Sequence, residues 1–538
     1  MNFIRKNQEL AFFIGLFLVF IFIGMFSLSE PYHLDSVLYL YTSIDLQSDG
    51  ELNFYFGRRP IISLTLIPFY FIFGKYGLLV CTLTLSYCSF ILYYLIIKNI
   101  SKNKFLGMAS VFLVLSLDAS LITISHLKED FIAIFYVLLA FFVALKSSKI
   151  RFLSLFVFGL ALMSKETVLF LIPLYLLLFW YQSNKELTVN NIFEKKHLIS
   201  LFRDSLIYIV VIALILSLLN KNFFVELMNI GKSQYMGQFR FAMFDLGKSL
   251  WIKGIGVFLF FLQFLGFLVY FFEKDKRKKL LFLIILVNFL LLSFFLTNNT
   301  VMTYRNFIWP SFLSFVFIVY ALNKLIPQKN AKFIWSIFLT VIFIFRIINN
   351  LPVMNYRSSS NLVEKFYTNF KTPSSKSILL GMDNCKLAEY YTRIKCKSHP
   401  VDAKKGSKEE LDFFVELNQY LRDGYSVYLI PDFFAYDKYK VFSNKIQKEY
   451  KFLNTYTNKY ESYHAMSLGV SYKKIFEHYK NKGCEVSLKD KTSSDIKGLD
   501  FYIFDLNCVG KSNSIKYYGS MYKIFPNIKE ASIYRLNK

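Results

Sequence analysis

Runs of about twenty apolar residues recur through the first 350 positions, and no other feature constrains the fold as strongly. ELAFFIGLFLVFIFIGMFSL (9–28) is the first and LLFLIILVNFLLLSFFL (280–296) a late example. Hydrocarbon offers backbone N–H and C=O groups no partner, so a run crossing ~30 Å of it must be a helix of roughly 20 residues or part of a closed barrel. The hydrophobic fraction of 55% also exceeds the roughly 45–50% of soluble domains. The sequence therefore predicts a polytopic α-helical membrane protein.

Spans are expected near 9–28, 77–97, 105–122, 131–145, 152–163, 167–181, 205–220, 251–272, 280–296, 307–323 and 333–349, about eleven transmembrane helices in all. The stretch 61–73 carries Pro68 and leads into Gly74 and Gly77, so it reads as a membrane-surface or re-entrant helix. The opening MNFIRKNQ places two basic residues before a long apolar run with a weak cleavage site. It reads as a retained first helix with a cytoplasmic N-terminus.

The net charge of +26 raises nucleic acid as a partner, but no nucleic-acid-binding motif is visible. Basic loops facing anionic lipid account for it instead. The strongly basic short segments are 98–104, 146–151, 182–204, 273–279 and 324–332. With the N-terminus inside, the span count puts all of them on the cytoplasmic side. The other side receives 32–60, the HLKED loop at 126–130, the SKE hinge at 164–166, 221–250 and TNNTVMTYRNF. It also receives the C-terminus.

From about 351 the chain turns water-soluble. KSILLG (376–381), SVYLIP (426–431) and DFYIFD (500–505) read as buried strands, and 407–422 and 436–450 as helices. Residues 1–350 are thus expected to form the membrane domain and 351–538 a soluble extracytoplasmic α/β domain. Cys81 and Cys88 lie in a span as packing residues. Cys385, Cys396, Cys484 and Cys508 lie in the soluble part, where an even number outside the cytoplasm suits two disulfides. Proximity favours Cys385–Cys396 and Cys484–Cys508; free buried thiols are the alternative.

The loop between the first two spans, about 29–76, holds Asp35, Asp45, Asp49 and Glu51, then Arg58 and Arg59 before Pro60. Further polar groups share its side: His126, Lys128, Glu129 and Asp130; Lys165 and Glu166; and Arg305 in YRNFIWPSF. An ionisable group at membrane depth costs about 2.5–3.5 kcal/mol by insertion scales, so each is a functional candidate. Taken singly, each is also readable as a snorkelling or loop charge.

The order of these features resembles the GT-C superfamily of integral-membrane glycosyltransferases, in particular its protein-mannosyltransferase-like and aminoarabinose-transferase-like branch. The resemblance covers roughly 1–350. It runs through HLDSVLYL, GRRPIISLTLIPFYFIFG, KEDFIAIFYVLLAFFVAL, FGLALMSKETVLFLIPLYLLL and YRNFIWPSFLSFVF. HLD stands where many relatives have Asp-Glu, and RRP where Lys-Pro-Pro is common. The resemblance implies an inverting transfer of a sugar from a polyprenyl-phosphate carrier to an acceptor hydroxyl. Asp35 would be the general base. Arg59, Lys165 and Arg305, with Arg58 assisting, would neutralise the departing phosphate. Glu129 or Asp130, with His126 and Glu166, would meet the sugar or acceptor. It implies no cofactor; a divalent metal is possible at Asp130 but not indicated. The implied partners are the lipid-linked donor, a glycan, lipid or protein acceptor, and membrane lipid. The implied location is a bacterial cytoplasmic membrane. Two other classes fit less well. A polysaccharide polymerase or ligase would need a larger outer loop than 221–250, and a transporter of lipid-linked glycans would show repeated halves.

Overall fold

The computed structural model describes residues 7–26, 34–55, 59–125, 129–146, 151–219, 257–297, 308–325, 334, 337–349, 351, 376–381, 385–398, 407–429, 484–493, 500–508 and 511–518. The chain divides into two compact units, one of Met1–Pro31 and Tyr39–Ser359, the other of Tyr32–Leu38 and Ser360–Lys538.

The first unit is helical. Its opening helices are α1 (Gln8–Met25), α2 (Leu34–Ser48, which belongs to this unit from Tyr39 onward), α3 (Pro60–Phe73) and α4 (Gly77–Ser101). Helices α5 (Lys104–Leu115), α6 (Asp118–Ser125), α7 (Asp130–Lys146), α8 (Arg151–Leu162) and α9 (Ile172–Ser183) follow. Then come α10 (Lys195–Leu219), α11 (Val257–Phe267), α12 (Lys276–Thr297), α13 (Ile308–Leu325) and α14 (Ile337–Asn349). Among the described residues, five segments are long and apolar enough to cross a membrane: Gln8–Met25, Pro60–Ser101, Glu166–Ser183, Lys195–Ser217 and Lys276–Leu296. Large apolar side chains stay exposed along them, such as Phe17, Ile72, Phe202, Val210 and Leu290. In water that surface would be costly; in lipid it costs nothing. The chain is an integral membrane protein.

Among the described residues of this unit the structure departs from the sequence reading in several places. The polar stretch after α1 is no simple loop, because α2 fills its first half. The apolar run 105–122 is two helices: α5 stops at Ser116 and Leu117, where Ser116 Oγ donates to the Leu113 carbonyl (2.8 Å) and Ser120 Oγ to that of Val114 (2.6 Å). Helix α10 starts at Lys195, inside a stretch read as a polar loop.

Helices α1 and α4 pack antiparallel. Tyr87 Oη donates to the Phe13 carbonyl (3.2 Å), and the Phe20 and Phe90 rings meet at 5.7 Å. At the start of α1, Glu9 Oε1 accepts from Lys98 Nζ (2.7 Å) and Tyr94 Oη (2.9 Å), and Lys104 Nζ lies 3.0 Å away. This ties α1, the end of α4 and the start of α5 together. Ile100, Leu145 and Leu178 line one apolar cavity, so α4, α7 and α9 end side by side. The basic run joins that end too: Arg277 Nη2 donates to the Tyr181 carbonyl (3.2 Å) and Arg277 Nη1 to that of Lys185.

Helix α3 turns back onto α4 through a short 3-10 turn, Gly74–Tyr76. Gly74 has φ +54°, in the region open to glycine. A Cβ on Gly77 would stand 2.6 Å from Tyr70 Cα, so only glycine lets the two backbones approach this closely. The hairpin buries Ile62 and Leu66 with Leu78, Cys81, Tyr39 and Leu40.

The second unit contains a mixed six-stranded sheet. Its elements are β1 (Ser377–Gly381), α15 (Cys385–Thr392), β2 (Cys396–Ser398), α16 (Lys408–Arg422), β3 (Ser426–Leu429), β4 (Cys484–Ser493), β5 (Asp500–Cys508) and β6 (Lys511–Tyr518). The strand order is β2-β1-β3-β6-β5-β4. Strands β2, β1, β3 and β6 run parallel, while β4, β5 and β6 form an antiparallel meander. Cys385 and Cys396 form a disulfide with Cα atoms 5.1 Å apart. Cys484 faces Cys508 in the β4–β5 register. The helix expected at 436–450 lies outside the described residues.

Candidate functional site

Three helix termini of the first unit bring charged residues together. Arg59 immediately precedes Pro60, the first residue of α3, where proline needs no hydrogen-bond partner. Glu129 and Asp130 open α7, where carboxylates suit the positive end of the helix dipole. Lys165 follows the end of α8 in extended conformation (φ −162°), and Glu166 begins a 3-10 segment, Glu166–Leu171, that leads into α9.

The geometry is that of a closed ion network. Arg59 Nε donates to both Glu166 carboxylate oxygens (3.1 Å each), and Nη2 donates to Oε2 (2.7 Å). On its other flank, Arg59 Nη1 donates to Glu129 Oε1 (3.1 Å) and to Tyr39 Oη (3.0 Å). Lys165 Nζ donates to Asp130 Oδ1 and, at 3.4 Å, to Glu129 Oε1. The Glu129 and Asp130 side chains are fully buried and that of Lys165 is 5% exposed, whereas Arg59 is 11% and Glu166 15% exposed. Burial works against the Arg59 charge. The Glu166 carboxylate, Tyr39 and Glu129 outweigh it and hold the guanidinium's pKa well above its ordinary value.

Five of the residues singled out in the sequence therefore stand together: Arg59, Glu129, Asp130, Lys165 and Glu166. The neighbours Lys165 and Glu166 reach in different directions, one to α7 and the other to Arg59. Asp35 lies in the first turn of α2, one turn before Tyr39. Arg58, His126, Lys128 and Arg305 lie outside the described residues. Asp45 instead belongs to a local network, accepting from Tyr55 Oη (2.5 Å) and Asn53 Nδ2 (3.4 Å). Tyr39 was not picked out from sequence. Its signal is the spacing of four from Asp35, which shares a helix face only once α2 is known to be helical. Among the described residues no group of three or more His, Cys, Asp or Glu side chains is arranged to hold a metal ion.

A bundle of apolar helices with a buried ion network where α3 and α7 begin and α8 ends makes this a polytopic membrane protein. Its fold is similar to that of ArnT from Cupriavidus metallidurans bound to undecaprenyl phosphate, with a TM-score of 0.50 and 12% identity over 77% of this chain and 89% of that one. The apo state of the same ArnT gives a TM-score of 0.49 at 12% identity, over 82% of this chain and 92% of its own. No protein-family model matches the chain, and neither does any curated protein.

Proposed function

We propose that this protein transfers a sugar from a polyprenyl-phosphate carrier to an acceptor hydroxyl, with inversion, on the extracytoplasmic face of the membrane. The observation that carries the reading is the convergence of two cations, Arg59 and Lys165, with three carboxylates at the start of α7. The described basic segments 98–104 and 276–279, with Lys146, gather at the other end of α7. The helix has 17 residues, so the two ends lie about 25 Å apart. The tendency of positive loops to face the cytoplasm supports an extracytoplasmic position for the ion network.

In this reading the donor reaches the site from the bilayer, so no soluble nucleotide-binding domain is needed. Arg59 and Lys165, aided by Arg58 and Arg305, stabilise the phosphate that leaves with the lipid. Asp35 takes the proton of the acceptor hydroxyl as that oxygen attacks the anomeric carbon. Asp130 and Glu129, with His126, orient the sugar or the acceptor. ArnT, whose fold this chain shares, has been crystallised with undecaprenyl phosphate, and the same lipid class is the carrier proposed here. The soluble unit would stand on the extracytoplasmic side, where the Cys385–Cys396 disulfide is stable.

The test is Asp35→Asn in the purified full chain. Sugar transfer should fall by about 10²–10⁴-fold, the usual worth of a general base, while polyprenyl phosphate still binds. Turnover close to wild type would remove Asp35 from this role.

A further inference from the structure

We propose that Glu166 is a built-in stand-in for the lipid phosphate, occupying the Arg59 fork in the resting protein and yielding it when the anionic headgroup enters. The proposal rests on the reading of Arg59 as a phosphate ligand and adds a residue that sets the affinity and charge selectivity of that site.

Three observations carry it. The first is the shape of the contact. Arg59 presents Nε and Nη2 side by side to the two oxygens of Glu166, at 3.1 and 2.7 Å. That paired arrangement is the one a guanidinium offers equally to a carboxylate or a phosphate. The other flank of Arg59 is engaged by Tyr39 and Glu129, so the headgroup has to take the flank that Glu166 holds.

The second is charge. Among the described residues both cations already face carboxylates, Arg59 those of Glu166 and Glu129 and Lys165 those of Asp130 and Glu129. A phosphate entering a site largely withdrawn from water competes with that negative charge for the same donors. Withdrawal of a carboxylate from Arg59 favours its binding.

The third is mobility. Glu129 and Asp130 are sealed at the start of α7, with no side-chain exposure. Glu166 is the most exposed of the three and sits on the six-residue 3-10 segment that separates α8 from α9. A short 3-10 stretch between α-helices shifts at little cost in hydrogen bonds, because its own bonds are poor. Glu166 is thus the carboxylate that can withdraw, and only a ligand of greater negative charge density displaces it. Neutral lipid headgroups leave the fork closed.

The experiment measures binding of undecaprenyl phosphate to the full chain in nanodiscs for wild type, Glu166→Gln, Arg59→Gln and the double variant. Glu166→Gln should bind about tenfold more tightly, because a competing charge within a few ångströms is gone. That gain should vanish in the Arg59→Gln background. Glu166→Asp, which keeps the charge on a shorter arm, should show a smaller gain; it carries the test if the Gln variant does not fold. Binding by Glu166→Gln, or by Glu166→Asp in its place, that is no tighter than wild type, while Arg59→Gln weakens it, overturns the stand-in and leaves the phosphate reading intact. Binding that is indifferent to Arg59→Gln overturns both.

Discussion

Lys165 sits between two buried carboxylates, and its value to the fold follows from what its removal leaves behind. Asp130 and Glu129 have no exposed side-chain surface, so losing the ammonium removes a cation from negative charge held in a dry site. Breaking such a pair from one side typically costs about 3–5 kcal/mol. Lys165→Met should therefore lower the thermal unfolding midpoint sharply, and adding Asp130→Asn should recover part of the loss. An unchanged midpoint in the single variant would show that the pair is not buried as described. At this scale the sequence is informative about which residues matter and silent about their partners. Lys165 and Glu166 stand out because no glycine or proline near SKE explains a surface loop. That Lys165 meets α7 while Glu166 meets Arg59, 107 residues earlier, depends on three helix termini converging. Local spacing carries no trace of that.

Among the elements, legibility tracks apolar length. Long runs such as α1 and α12 are plain, because lipid permits only one local structure for them. Helix α2 is hidden by its polar positions. Its buried positions, Ser36, Val37, Tyr39, Leu40, Thr42 and Ser43, are half polar, so no apolar stripe shows in the sequence. The split between α5 and α6 is hidden for the opposite reason: two serines turn the chain inside a run that still averages apolar. The α3–α4 hairpin was partly visible, through Gly74 and Gly77, as a break before the second span. Its dependence on Gly77 is strict. Gly77→Ala places a Cβ against the backbone of Tyr70, which no rotamer change relieves. A loss of about 1–3 kcal/mol is expected, as for other overpacked sites, read as a lower unfolding midpoint. Gly15→Ala, with open space around it, is the control and should leave the midpoint unchanged.

The helical unit has two chemically distinct ends. Arg277 and the Glu9–Lys98–Lys104 cluster lie at one end, and the Arg59–Glu166 network at the other. Sidedness is testable by single cysteines in a background lacking the native ones. A cysteine at Lys102 should react with membrane-impermeant reagent only from the cytoplasmic side, and one at Asp49 only from outside. Labelling of both from one side would refute the alternation of spans on which the extracytoplasmic site depends. The central claim, transfer of a sugar from a polyprenyl-phosphate carrier, is tested most directly by mass spectrometry of lipid-linked sugars and glycoconjugates in cells that lack this chain. The account predicts that one polyprenyl-phosphate sugar accumulates and one glycosylated product disappears. Wild-type chain restores both to normal; Asp35→Asn does not. Unchanged lipid-linked sugars and glycoconjugates in the deletion would contradict the claim.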